Sequence, residues 1–157
     1  MATEQEINRI AHEIVGGGIA LHKAFGPGCF ESTYSPCLAY EMRKRGLQFE
    51  AKVELELHYE ELWIPRAYEA DFIVEGSIVV EVKALQAIAP VHLRQVKTYL
   101  TLTGCPLGLL MNFGDETMKA GVHRVVNNFP EGTSRDLPAR RSRAVGEEKK
   151  NPDQNAG

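Results

Sequence analysis

The hydrophobic period of this 157-residue chain changes near residue 50, and this change constrains the fold more than any other feature. Before it, apolar residues recur at helical spacing in two segments, about 3–25 and 30–45. From Val53 to Tyr59, apolar and polar residues alternate, as in a β-strand with one solvated face. Helical and strand patterns within one short chain predict an α/β domain in which helices cover a sheet.

Two more strands follow at once, at about 63–74 and 77–83. They are joined tightly through Glu75 and Gly76, which predicts an antiparallel meander with the first strand. Pro65 belongs at an edge or a bulge, because it cannot donate a hydrogen bond to a neighbouring strand.

A third helix is predicted from Pro90, a favourable first residue, to Gly104, a favourable C-terminal cap. The stretches PLGLLMNFG and GVHRVVN then predict two more strands with a short polar turn between them. The predicted fold is therefore a mixed sheet flanked by helices.

Two features disturb the predicted helices. Gly16–Gly18 lie inside the first helix and predict a kink, a break or a close contact with another backbone. Pro36 lies inside the second helix and favours a start only after Ser35, since proline removes a helical hydrogen bond.

The length of the chain suits one domain with a single core. The predicted core ends near Phe129. From Pro130 the composition turns to Pro, Gly, Ser, Arg, Glu and Lys, with almost no large apolar residues to offset the entropy of ordering. We therefore predict a folded domain at 1–129 and a disordered, flexible tail at 130–157.

Composition excludes several other classes of protein. No apolar run approaches the roughly 20 residues of a membrane helix, and the N-terminus lacks the pattern of a secretion signal, so a cytoplasmic protein is expected. The three cysteines include no C-x-x-C pair and the histidines no H-E-x-x-H motif, which argues against a disulfide framework and a zinc site. The net charge of -3 supplies no overall basic field, so nucleic acid would have to contact a local basic patch.

The stretch GSIVVEVKALQ places charged residues at the end of an apolar strand. Glu81 and Lys83 are two apart and therefore share a face. A three-residue loop with Gly76 left-handed would pair Ile73 with Ser77, and this register puts Asp71 of the preceding strand on the same face.

Two carboxylates that converge at strand ends form an oxygen site suited to Mg²⁺ or Mn²⁺. Lys83 could orient or deprotonate a metal-bound water, or offset the charge of a phosphoryl transition state. Metal-assisted phosphodiester hydrolysis is the chemistry that this predicts. The alternative interpretation is a structural cross-strand ion-pair cluster of Asp71, Glu81 and Lys83.

At this point the sequence resembles a known family. Asp71 followed by Glu81-Val82-Lys83 is similar to the metal-binding motif of the PD-(D/E)xK nucleases, with Ala70 at the position of the motif's proline. GPGCFESTY matches the G-x-x-E-x-x-Y signature of the GxxExxY group through Gly28, Glu31 and Tyr34. The resemblance extends over about 10–128.

This resemblance implies a restriction-endonuclease-like fold and a metal-dependent nuclease. It implies that Asp71 and Glu81 bind Mg²⁺ or Mn²⁺ and that Lys83 is catalytic. By the same resemblance, Glu31 approaches the metal and Gln95 steadies the site. Without it, Glu31 could simply favour the N-terminus of its helix, and Gln95 could solvate a helix surface.

DNA or RNA is the expected partner, and Arg94 and Lys97 are the predicted contacts because their helix begins beside Glu81 and Lys83. A function of another class stays open: a catalytically inactive module that binds nucleic acid or protein on the same fold.

Overall fold

The computed structural model describes residues 1–130, so the predicted flexible tail lies outside the described residues apart from Pro130. In chain order the elements are α1 (Glu4–Phe25), a 3-10 helix (Gly26–Gly28), α2 (Glu31–Lys44), β1 (Phe49–Tyr59), β2 (Leu62–Val74), β3 (Ile78–Lys83), α3 (Pro90–Thr103), β4 (Leu107–Asn112), α4 (Met118–Gly121) and β5 (Val122–Val126). The predicted α/β fold is confirmed. None of the helices in the described part combines the length and apolar character that a membrane crossing requires.

The five strands form one mixed sheet in the order β1-β2-β3-β4-β5. β1, β2 and β3 are the predicted antiparallel meander, β4 runs parallel to β3, and β5 returns antiparallel to β4. α3 connects the two parallel strands, as such a crossover requires. Because β3 and β4 are parallel and in register, their last residues, Lys83 and Asn112, lie side by side at one end of the sheet.

Helices cover both faces of this sheet. Val80 and Val82 of β3 pack in the cluster beneath α1 and α2. Val79 packs on the opposite face, in the cluster with residues of α3. Since alternate residues of a strand share a face, Glu81 and Lys83 lie on the α3 side of the sheet.

α1 is one uninterrupted helix that begins with a capping box at Thr3. The Thr3 hydroxyl accepts a hydrogen bond from the Glu6 N–H at 3.2 Å, and the Glu6 carboxylate accepts one from the Thr3 N–H at 2.7 Å. The break predicted at Gly16–Gly18 does not occur. The glycines allow a close approach instead, since a Cβ on Gly17 would lie 3.1 Å from the Cβ of Glu41 in α2. The predicted close contact is thus made with side chains rather than with another backbone.

α2 begins at Glu31 and continues through Pro36, so the prediction that it starts only after Ser35 is wrong. The proline costs the helix one backbone hydrogen bond. Burial of the inner face offsets this loss, because each large apolar side chain contributes about 1.5–3 kcal/mol when buried. Three such side chains of α2 are completely buried: Tyr34, Leu38 and Met42.

β1 begins at Phe49 rather than at the predicted Val53, and it changes faces at Lys52. Phe49 packs against the cluster beneath α1 and α2, whereas Val53 and Leu55 contact the cluster beneath α3. Lys52, between them, has a φ of 52°, in the left-handed region. This residue rotates the strand, so apolar side chains before it face α1 and α2 and those after it face α3.

The turn between β2 and β3 pairs Val74 with Ile78, not Ile73 with Ser77 as predicted. Gly76 is left-handed, with a φ of 62°, as the predicted turn requires. The observed register differs from the predicted one by an even number of positions, so Asp71 stays on the Glu81 face as predicted.

Gly114, in the loop after β4, leaves no room for a side chain. A Cβ there would clash with the backbone of Leu85, in the loop after β3. Because backbone atoms cannot rotate away, Gly114→Ala should lower the free energy of unfolding by about 1–3 kcal/mol in denaturant titrations. Gly28→Ala is the matched control, since a Cβ at Gly28 meets no atom within 4 Å. Equal stability of the two variants would contradict the packing argument.

Candidate active site

The β2–β3 register brings Asp71 and Glu81 together. Regular pairing ends with Phe72 opposite Val80, so the next residues along the two strands, Asp71 and Glu81, face each other. There the Asp71 side chain continues the contact between the strands, because its Oδ2 accepts a hydrogen bond from the Val82 N–H at 2.8 Å. The two carboxylates thus meet at the end of the regular hairpin.

Glu81 is a buried carboxylate, only 5% exposed. Its Oε1 lies 3.6 Å from the Lys83 Nζ, whereas its Oε2 is buried without a hydrogen-bond partner. Burial, and then the charge of Asp71, raise the pKa of Glu81 to about 7 against the opposing effect of the Lys83 ammonium. Burial also raises the pKa of Asp71. A cation bound between the two carboxylates would relieve this desolvation and repulsion.

The raised pKa of Glu81 predicts a pH-dependent stability of the metal-free protein. From the unfolded value of 4.5 up to about 7, the folded state holds a proton that the unfolded chain has released. The stabilising contribution of this proton is complete below pH 4.5 and is lost as pH rises through 7. Glu81→Gln cannot ionise, so in EDTA it should gain up to about 3 kcal/mol relative to wild type between pH 4.5 and 8.5.

Urea titrations at both pH values measure this difference. Glu61→Gln is the matched control, because it makes the same chemical change on an exposed side chain. A constant stability difference between Glu81→Gln and wild type across the pH range would contradict the burial argument.

Lys83 ends β3, and the backbone around it is held on both sides. Its carbonyl oxygen accepts a hydrogen bond from the Phe113 N–H at 2.8 Å. The fully buried Asn112 binds both polar backbone atoms of Leu85: its Oδ1 accepts from the N–H at 2.8 Å, and its Nδ2 donates to the carbonyl at 2.9 Å. These bonds fix the backbone at the strand end from which the Lys83 side chain reaches Glu81. Asn112 was not identified from the sequence. The feature that could have indicated it is its position as the polar residue that ends the apolar strand β4.

Glu31 is the first residue of α2 and approaches Asp71 from the α2 side of the sheet. Its negative charge raises the pKa of Asp71, after the larger effect of burial. Glu31 is exposed, unlike the fully buried Tyr34 three residues later. The structure nevertheless brings it to the carboxylate pair.

Tyr34, in the first turn of α2, has a structural position. Its ring is fully buried and stacks on Phe113, with 4.3 Å between the ring centroids. Its hydroxyl donates to the Gly26 carbonyl and accepts from the Cys29 N–H at 3.2 Å. Tyr34 therefore anchors the turn from which Glu31 emerges.

Gln95 reaches the site through Tyr99, which was not singled out from the sequence. The Gln95 Nε2 donates to the Tyr99 hydroxyl at 2.9 Å. Burial, followed by the charges of Glu81 and Asp71, raises the pKa of Tyr99 to about 12. The negative charges of both carboxylates thus act on the Tyr99 hydroxyl. Its signal in the sequence was the i, i+4 spacing from Gln95.

The two predicted nucleic-acid contacts on α3 differ in their surroundings. The Lys97 Nζ donates to the Val126 carbonyl at 2.8 Å and to the Asn127 Oδ1 at 3.2 Å, so it ties α3 to the end of β5. Arg94 is exposed, and no hydrogen bond or ion pair engages its guanidinium within residues 1–130. Arg94 therefore has more donors available to a ligand than Lys97.

A cavity of about 480 Å³ opens between α2 and the β1–β2 pair, beside the carboxylates. Its walls include Glu31, Asp71, Lys52 and two hydroxyls, those of Ser32 and Ser35. Its volume is in the range of small-ligand sites.

The donor set fits a hard divalent cation such as Mg²⁺ or Mn²⁺, which binds carboxylate oxygens and retains several waters. Within the part of the chain that the structure describes, no cluster of three or more His, Cys, Asp or Glu side chains is arranged to hold a metal. An ion bound by Asp71 and Glu81 would complete its coordination with other oxygen ligands. The unpartnered Oε2 of Glu81 is suited to bind it.

Two carboxylates and a lysine at a hairpin end, on a mixed sheet between helices, define a nuclease-like α/β domain. The family model of the PD-(D/E)XK nuclease superfamily matches residues 8–125, and the chain belongs to this superfamily. The superfamily typically uses a divalent metal, and membership implies a nucleic-acid partner. No curated protein and no solved structure matches the chain.

Proposed function

We propose that this protein is a metal-dependent nuclease that hydrolyses phosphodiester bonds of DNA or RNA. The observation that carries the proposal is the meeting of Asp71, Glu81 and Lys83 at the end of the β2–β3 hairpin. In a chain of this superfamily, these residues supply the charges that phosphodiester hydrolysis requires.

Asp71 and Glu81 would hold Mg²⁺ or Mn²⁺. The support is the buried, unpartnered Oε2 of Glu81 and the raised pKa of both carboxyls. When bound, such an ion polarises phosphate oxygens and lowers the pKa of water. Because a proton competes for Glu81, this site should weaken as pH falls below about 7.

Lys83 is the proposed catalytic residue. Its side chain is 16% exposed, and its ammonium lies 3.6 Å from Glu81. The ammonium would orient the attacking water or stabilise negative charge on the phosphate oxygens. Both roles act mainly in the transition state, so the rate of the chemical step depends on this side chain.

Glu31 and Gln95 complete the proposed site. Glu31 faces Asp71 across the cavity and would accept a proton or orient a water. Gln95, bonded to Tyr99, would steady the α3 side of the site. Arg94 is the better placed of the two basic residues to bind a phosphate, and Lys97 would supply long-range attraction.

We also propose membership of the GxxExxY group. The support is the arrangement of Gly28, Glu31 and Tyr34. The Tyr34 hydroxyl binds the turn that contains Gly28, and Glu31 follows directly after this turn. The domain that we propose extends from residue 1 to residue 129, and Phe129 packs against the core.

One observation favours the alternative, an inactive module that binds nucleic acid or protein: the described residues hold no cluster of three or more metal-ligating side chains. The deciding experiment is incubation of the purified full chain with single- and double-stranded DNA and RNA in Mg²⁺, Mn²⁺ or EDTA. Cleavage that EDTA abolishes is expected. Binding without cleavage on every substrate would support the inactive module.

A further inference from the structure

Lys52 occupies a backbone position that favours glycine. Its φ is 52°, and a side chain costs free energy in the left-handed region. The pairs on either side, Ala51 with Phe72 and Val53 with Ala70, keep one register, so no inserted residue forces this conformation. Glycine would rotate the strand at lower cost, and a strained non-glycine residue beside a candidate site points to a use for its side chain.

The position of Lys52 suggests what that use is. By the register of its neighbours, it lies opposite Asp71. It lines the cavity together with Glu31, Ser32 and Asp71. Lys52 is exposed, and within residues 1–130 no ion pair or hydrogen bond engages its ammonium. Lys97, in contrast, donates two hydrogen bonds to the protein.

Charge balance favours an anionic ligand at this ammonium. When ionised, Glu31, Asp71 and Glu81 carry three negative charges, of which Lys83 offsets one. A divalent cation would bring this group to neutrality, and a phosphate of the substrate would then add negative charge. Lys52 is a cation on the cavity wall that can compensate this charge.

We propose that Lys52 is a substrate-binding residue whose ammonium contacts a backbone phosphate next to the scissile one. The cavity between α2 and β1 then holds that part of the nucleic-acid strand, with Ser32 and Ser35 as hydroxyl donors. This inference rests on the proposed nuclease function and extends it to the path of the substrate. A phosphate contact positions the strand and carries no sequence preference.

The test measures binding of a short labelled phosphorothioate oligonucleotide, which resists hydrolysis, between roughly 50 and 200 mM salt. Lys52→Met should bind about tenfold more weakly. Its plot of log affinity against log salt should be shallower by about 0.7–0.9, the value for one lost phosphate contact. On cleavable substrate its KM should rise with little change in kcat, because the contact exists in the ground state and the transition state alike.

Three further variants control the test. Lys52→Arg should retain the wild-type salt dependence. Lys52→Gly removes the backbone strain, so it should fold at least as stably as wild type and still lose the phosphate contact. Lys23→Met removes an exposed lysine that does not line the cavity, and it should leave affinity unchanged.

The outcomes separate this inference from the proposed function. If wild type cleaves nucleic acid and Lys52→Met keeps its affinity and salt dependence, Lys52 is not a phosphate contact, and the nuclease proposal stands. A weaker affinity with an unchanged salt dependence would assign Lys52 a structural role and overturn the inference. If wild type neither binds nor cleaves any nucleic acid, both proposals fail.

Discussion

Lys83→Met is expected to slow cleavage by about a hundredfold or more, the range typical of positioned acid–base or electrostatic groups. The variant should still fold, because methionine retains most of the apolar stem of this largely buried side chain. It should still bind Mn²⁺ and nucleic acid, since the loss lies in the chemical step. Single-turnover cleavage, metal titration and melting curves on both proteins measure these effects.

The structural interpretation of Lys83 predicts a different result. If the lysine only pairs with Glu81, its removal leaves Asp71 and Glu81 as opposed like charges, and stability falls without any activity to lose. Lys23→Met, on α1, controls for the loss of one lysine. Undiminished cleavage by a folded Lys83→Met protein would remove Lys83 from the mechanism. No cleavage by either protein on any substrate would favour the inactive module.

Glu81→Ala is expected to abolish detectable Mn²⁺ binding and to leave the fold intact. Substitution of a residue that only supports a metal ligand lowers metal affinity by about 10–100-fold, so loss of a direct ligand should lower it further. The fold should survive, because the substitution also removes a buried carboxylate with an unpartnered oxygen. Isothermal calorimetry measures the affinity, and circular dichroism checks the fold.

Asp71→Ala should weaken Mn²⁺ binding in the same way, whereas Glu61→Ala, at an exposed position between β1 and β2, should not. Unchanged Mn²⁺ affinity in Glu81→Ala would rule out the metal site at this hairpin. Loss of affinity in Asp71→Ala alone would leave Glu81 as part of an ion-pair cluster.

Local patterns predicted most of the fold, because period and caps depend on neighbouring residues. The start of α3 at Pro90 and its end before the cap Gly104 are confirmed. The start of α2 could not be predicted, since the burial that overcomes Pro36 is a tertiary effect. The alternation of apolar and polar residues already begins at Phe49, so the first residues of β1 were predictable, whereas the change of face at the left-handed Lys52 was not.

The candidate site was predictable where its members share a strand or a hairpin. Parity alone put Asp71 on the Glu81 face, although the predicted pairing was displaced along the strands. The contact of Lys97 with Val126 depends on the packing of α3 against β5, which no local pattern encodes. The same holds for the approach of Glu31 to Asp71, because it joins two elements far apart in the chain.

The outer halves of β1 and β2 form a two-stranded ribbon beyond the rest of the sheet. Within residues 1–130, β3 pairs with β2 only at 72–74, so from Ala70 outward β1 is the one strand that pairs with β2 there. Such ribbons are marginally stable, and their amides exchange with solvent through local opening rather than global unfolding. Asp71 lies at the base of this ribbon. Every opening that reaches the base withdraws one carboxylate from the site, so ligands that bind the site should slow amide exchange along the whole ribbon.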